Sequence, residues 1–116
     1  MTMLELITIA ALANGVAPST LKAICWVESR HNPNIIHKDD GGSDSYGICQ
    51  IKLATARFMG FKGKAKDLLD PKVNLHYAAK YLKYQKDRYG DNVRKTISAY
   101  NAGRYIKANK KYVDKV

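Results

Sequence analysis

The sequence predicts one all-α domain of about six helices, and three observations carry that reading. Apolar residues recur at helical spacing through most of the chain. Residues that start and stop helices bracket those runs, and no segment alternates apolar and polar residues as a half-buried strand does. The length, 116 residues, fits a single domain over 1–116 and suffices for an apolar core without a metal or several disulfides. At 46% hydrophobic and 26% charged, with no internal repeat, the composition excludes a disordered or low-complexity chain.

Residues 3–13 form the first helix, and Asn14-Gly15 stop it. The apolar run 4–17 has no basic leader and is interrupted by Glu5 and Asn14-Gly15, so it reads as a packed amphipathic helix and not as a signal peptide. It is also too short to span a bilayer, and no stable membrane insertion is expected. Pro18 opens the second helix in its first turn, and Asn32-Pro33 end it after about residue 30. Residues 34–47 are polar and irregular, with three aspartates, two adjacent glycines and two serines, which is loop or short-hairpin chemistry. Residues 48–51 make a short extended or turn segment. A third helix covers 53–59, and 60–69 connect it to the next. Asp70 as N-cap and Pro71 at the first position start a long helix that runs to Tyr89, with Leu75, Ala78, Leu82 and Tyr89 on one face. Gly90 stops it. The fifth helix follows from Asp91 with Val93, Ile97 and Tyr100 on one stripe and ends at Gly103; a sixth covers about 104–114.

Twenty Lys and Arg against ten Asp and Glu give a net charge of +10, a surface that attracts polyanions such as nucleic acid or the anionic bacterial envelope. The lysines are spread over several helices and no nucleic-acid motif is present, so nucleic acid is not the expected partner. Cys25 and Cys49 are too few and too far apart for a zinc site. They read either as two small buried hydrophobes or, in an oxidising compartment, as a disulfide; spacing does not decide. His31, His37 and His76 form no metal-binding pattern, and neither a metal nor another cofactor is expected.

Only two glutamates exist, Glu5 and Glu28. Leu21, Ile24, Cys25 and Glu28 fall at i, i+3, i+4 and i+7 on one helical face, which should turn Glu28 towards the core. Desolvation and the nearby helix C-terminus both disfavour the carboxylate there. A carboxyl that holds its proton near neutral pH can serve as a general acid, worth ~10²–10⁴-fold in rate. A buried glutamate held by hydrogen bonds for structural reasons carries the same pattern.

Five segments add to this. Glu28-Ser29-Arg30-His31-Asn32-Pro33 carries an ES…NP pattern, and Gly47-Ile48-Cys49-Gln50-Ile51 is close to GLMQI. Asp70-Pro71 with Asn74 and the AKYL of 79–82 follow DP..N….YL. Residues 99–103 spell AYNAG, and the chain closes on Tyr112-Val113-Asp114-Lys115-Val116, close to YV..V. In this order the segments resemble those of the lytic transglycosylases, the goose-lysozyme-like group. The resemblance implies a lysozyme-like fold with a groove for peptidoglycan glycan strands. It implies that one glutamate protonates the glycosidic oxygen between MurNAc and GlcNAc and then acts as base, while the MurNAc 6-hydroxyl closes on C1 to a 1,6-anhydro product. Glu28 matches that glutamate. Gln50, Tyr100 and Asn101 match polar groove residues, with the Tyr100 phenol expected to hydrogen-bond the Glu28 carboxyl. Ser29 matches a structural helper. Ser45 and Tyr46 are expected sugar contacts, with plain turn residues as the alternative. Cys49 in place of methionine, His37 in place of serine and a longer 38–46 loop depart from the pattern.

A hydrolytic muramidase would need a second carboxylate, at ~5–5.5 Å for retention or ~6.5–9.5 Å for inversion, and Asp39, Asp40 and Asp44 are the available candidates. A non-catalytic basic module for wall or nucleic acid would account for the charge but not for Glu28 or the five segments. A strongly basic wall-cleaving chain with no signal peptide is expected of a bacteriophage: a monomer made in the host cytoplasm that acts on the wall during lysis or as part of a virion.

Overall fold

The computed structural model describes residues 1–38 and 43–116. Six α-helices lie close to the expected positions: α1 (Met3–Ala13), α2 (Pro18–Ser29), α3 (Leu53–Phe58), α4 (Pro71–Tyr89), α5 (Val93–Ala102) and α6 (Lys110–Lys115). Thr2 caps α1 in a full capping box with Glu5, and Asp70 caps α4 by accepting from the Lys72 amide. The nineteen-residue α4 is the axis of the fold. It packs against α1 and α5 and buries Leu75, Ala78, Ala79 and Leu82. These side chains join Ile7, Ala11, Leu21, Ile24 and Ile97 in the main core, where each large aliphatic side chain contributes ~1.5–3 kcal/mol by leaving water.

Three differences from the sequence reading concern short elements. Residues 36–52 contain a small antiparallel sheet of two-residue strands, β1 (Ile36–His37), β2 (Ser45–Tyr46) and β3 (Ile51–Lys52). Two residues are too few to show an alternation, so the strands leave no periodic trace. Their register aligns His37, Ser45 and Lys52 in one row and Ile36, Tyr46 and Ile51 in the next. The connector 60–69 holds a 3-10 turn at Ala65–Leu69. The last helix starts six residues later than expected: residues 104–106 are not helical and a 3-10 turn at Lys107–Asn109 leads into α6.

The sheet is anchored to α4 by one fully buried side chain. The Asn74 carboxamide donates to the Tyr46 and Leu68 carbonyls at 2.7 and 2.8 Å and accepts from the Cys49 amide at 3.0 Å. Gly47, at φ +75°, passes so close that a Cβ would lie 2.6 Å from both Asn74 Nδ2 and the Leu68 carbonyl oxygen, which only glycine permits. Cys25 and Cys49 form a disulfide between α2 and the segment after β2, settling the alternative that spacing leaves open. Both sulfurs lie in the core, so the pair supplies buried apolar volume as well as a covalent link.

Candidate active site

Glu28 lies in the last turn of α2, where two contacts tie the helix end to residues 48–49. The disulfide from Cys25 is one. The Ser29 hydroxyl donates to the Ile48 carbonyl at 2.6 Å and accepts from the Asn32 amide at 3.1 Å, which joins the helix end to both flanking segments. Across the gap, the Tyr100 hydroxyl donates to the Cys49 carbonyl at 2.9 Å. Residues 48–49 are therefore the common backing for Glu28 on one side and α5 on the other.

In front of this backing opens a cavity of about 570 Å³, within the ~300–1,000 Å³ usual for ligand sites. Of the residues expected at the site, Glu28, Ser45, Gln50, Tyr100 and Asn101 line it. Gln50 adopts a left-handed conformation at φ +53°, and its amide nitrogen is spent on the Ile35 and Gly47 carbonyls, so the side chain stiffens the rim. Asn101 is exposed and held by Asn109, which Ser98 holds in turn.

Two expectations need correction. Tyr46 does not reach the cavity. Adjacent strand residues point to opposite faces, so the turn that presents Ser45 sends Tyr46 against the smaller core cluster around Ile51, Phe61 and Leu68. The Tyr100 phenol does not bond Glu28 either, because it points to the Cys49 carbonyl. The hydroxyl on Glu28 is that of Tyr112, which donates to Oε2 at 2.7 Å from α6. Tyr112 lies in the closing YV..V segment, on α6 next to the buried Val113, and its membership of that segment is the signal that could have singled it out. Sequence reading also passes over His37 and Lys52, which share the groove-facing row with Ser45.

The electrostatics follow from this geometry. Burial, the largest cause, pushes the Glu28 carboxyl above the ordinary glutamate range; the Tyr112 hydroxyl and the His37 charge pull the other way without cancelling it. Burial next to Glu28 drives the Tyr112 and Tyr100 phenols well up, so both stay protonated and Tyr112 remains a donor. Glu28 is the only carboxylate lining the cavity among the described residues. Asp44 lies on the far side of β2, paired with Lys38 at 3.0 Å, while Asp39 and Asp40 lie outside the described residues. No group of three or more His, Cys, Asp or Glu is placed to hold a metal ion among the described residues. The arrangement suits proton transfer to and from a neutral polar ligand by one carboxyl.

The model of the transglycosylase SLT domain matches residues 5–115. The chain belongs to that family. Over 97 residues this SLT domain is 34% identical to protein IpgF of Shigella flexneri, an alignment covering 82% of the chain and 63% of IpgF. Over the same length it is 33% identical to peptidoglycan transglycosylase gp16 of Escherichia phage T7, covering 81% of the chain and 7% of gp16. It thus spans less than two thirds of either relative. Its fold matches the 70 kDa soluble lytic transglycosylase SLT70 of Escherichia coli with a TM-score of 0.76 at 26% identity, over 96% of this chain and 18% of that one. The SLT domain is accordingly a mostly helical, lysozyme-like unit with a small sheet. All five of its signature segments reach the groove. Four line it, the DP..N….YL segment through Tyr81, and the closing segment sends the Tyr112 hydroxyl to Glu28, while Asn74 anchors the sheet that forms one wall. No helix is long and apolar enough to cross a membrane among the described residues.

Proposed function

We propose that this SLT domain cleaves the β-1,4 bond between MurNAc and GlcNAc in peptidoglycan without consuming water. The carrying observation is Glu28: one partly buried carboxyl, raised in pKa, oriented by Tyr112 and facing a sugar-sized groove with no second carboxylate among its described lining. Protonated Glu28 gives its proton to the glycosidic oxygen as the bond from that oxygen to C1 breaks. The resulting carboxylate then takes the proton of the MurNAc 6-hydroxyl as that oxygen bonds to C1. The acid is regenerated and the new end is a 1,6-anhydro sugar. Tyr112 stays protonated throughout and supports the carboxylate between the two transfers.

The names of gp16 and SLT70 support the substrate and the reaction class. The Cys25–Cys49 disulfide supports a working place in an oxidising compartment such as the one that holds the wall. The likeness to a phage protein supports a phage setting, in lysis or in a virion. Digestion of purified peptidoglycan followed by mass spectrometry tests the reaction. Products lighter by one water than reducing-end sugars are expected from the wild type and none from Glu28→Gln; reducing ends would point instead to a hydrolase with a second carboxylate.

A further inference from the structure

A separate cavity of about 330 Å³ lies between α5 and α6 and shares no lining residue with the Glu28 groove. α6 sends Tyr112 to Glu28 and Val113 to the floor of this hollow, so groove and hollow are served by different faces of one helix. Arg94, Lys95, Lys107 and Lys110 line it and, among the described residues, no carboxylate does. Asp114, which is not part of the lining, pairs with Arg94 at 2.6 Å and with Lys110 at 3.6 Å. Lys95 and Lys107 have no carboxylate partner among the described residues. The wall at 105–109 is held in place from behind. The buried Ser98 hydroxyl accepts the Ile106 amide at 3.1 Å, Asn109 Nδ2 donates to the Ser98 carbonyl at 3.1 Å, and the Tyr105 amide donates to the Tyr89 hydroxyl at 2.8 Å.

These cations stand against local preference. Arg94 and Lys95 occupy the first turn of α5, which holds no acid and where the helix dipole disfavours positive charge. An anion in the hollow would offset that cost. The Arg94 guanidinium is already engaged by Asp114, which leaves lysines, whose compact ammonium groups meet phosphate as point charges. Beside them the hollow has an apolar side: Val113 is its floor, and Val93 and Tyr105 stand exposed at its edge. Cations flanked by exposed apolar and tyrosine side chains suit a charged head on an apolar body, as at a lipid surface. The Lys95 ammonium lies 5.2 Å from the Tyr105 ring centroid and covers a face on which a nucleobase would stack. We propose that this hollow binds the phosphate headgroup of an anionic lipid and docks the domain on a membrane surface through α5 and residues 105–110. The proposal concerns binding alone and stands apart from the chemistry at Glu28.

The test is sedimentation with vesicles of mixed phosphatidylglycerol and phosphatidylcholine, against vesicles of phosphatidylcholine alone. Wild type is expected to bind the anionic vesicles and not the neutral ones. Lys95→Gln with Lys107→Gln should weaken that binding roughly tenfold or more. Lys62→Gln with Lys66→Gln removes the same charge from exposed positions of the connector 60–69 and should weaken it less than about threefold. Equal losses from both pairs, or no loss from either, would overturn the proposal. Tyr105→Ala keeps the charge and should still weaken binding, by about threefold; an unchanged affinity would contradict a lipid headgroup. Inorganic phosphate, followed through the Lys95 and Lys107 amide shifts, separates the sources: saturation by phosphate without vesicle binding would overturn the lipid assignment. Binding of a single-stranded DNA oligonucleotide through the same two lysines, with vesicles ignored, would overturn it in favour of nucleic acid.

Discussion

The two glutamates of this chain sit at opposite kinds of helix end and have opposite chemistry. Glu5 lies in the first turn of α1, fully exposed, and accepts the Thr2 amide at 3.0 Å, so backbone and hydroxyl donors hold its carboxyl below the ordinary range. Glu28 lies in the last turn of α2, in a groove where desolvation outweighs the single phenol that favours its charge. Identical groups are thus driven apart by what surrounds them: the first is a cap, the second is set up to hold and return a proton.

The largest effect expected on this contrast is that of Glu28→Gln. It should lower peptidoglycan cleavage by ~10²–10⁴-fold. A group whose folded pKa is raised contributes stability below its unfolded pKa and loses it as pH rises through the folded value. Removing the charge should therefore leave the protein at least as stable at neutral pH, with the difference from wild type shrinking in acid. Thermal melts across pH check this. Second comes the backing of Glu28. Replacing Cys25 and Cys49 by alanine removes a cross-link of sequence separation 24 and should lower unfolding stability by about 2–4 kcal/mol in a denaturant titration. Third, Tyr112→Phe deletes the hydrogen bond that favours the Glu28 carboxylate. The Glu28 pKa should rise further, moving the basic limb of kcat/KM to higher pH, with a ~2–10-fold loss at the optimum. Smallest is Glu5→Gln, which keeps an acceptor but removes the charge. Its melting temperature should fall slightly above the ordinary glutamate pKa, and the difference should vanish as pH drops through the depressed Glu5 value.

The contrast also marks how far the sequence can be read. Helix positions are legible because caps and apolar spacing are local, and so is the inward face that carries Glu28. The acid's partner is not, because the Tyr112 hydroxyl reaches it only once α6 docks 84 residues further along the chain. Tyr100 fits the same expectation equally well until the Cys49 carbonyl claims its hydroxyl. The pairing of Cys25 with Cys49 waits on the same kind of tertiary approach, brought about by the Asn74 anchor and the close passage at Gly47. Tyr46 misleads for a different reason: two-residue strands give no period from which its facing could be taken.

The most direct test is carbon-13 NMR titration of the glutamate side-chain carboxyls, of which the protein has only two. The account predicts Glu5 titrating below the ordinary glutamate value and Glu28 above it, with Glu28 moving higher still in Tyr112→Phe. A Glu28 midpoint at or below that of Glu5 would contradict it.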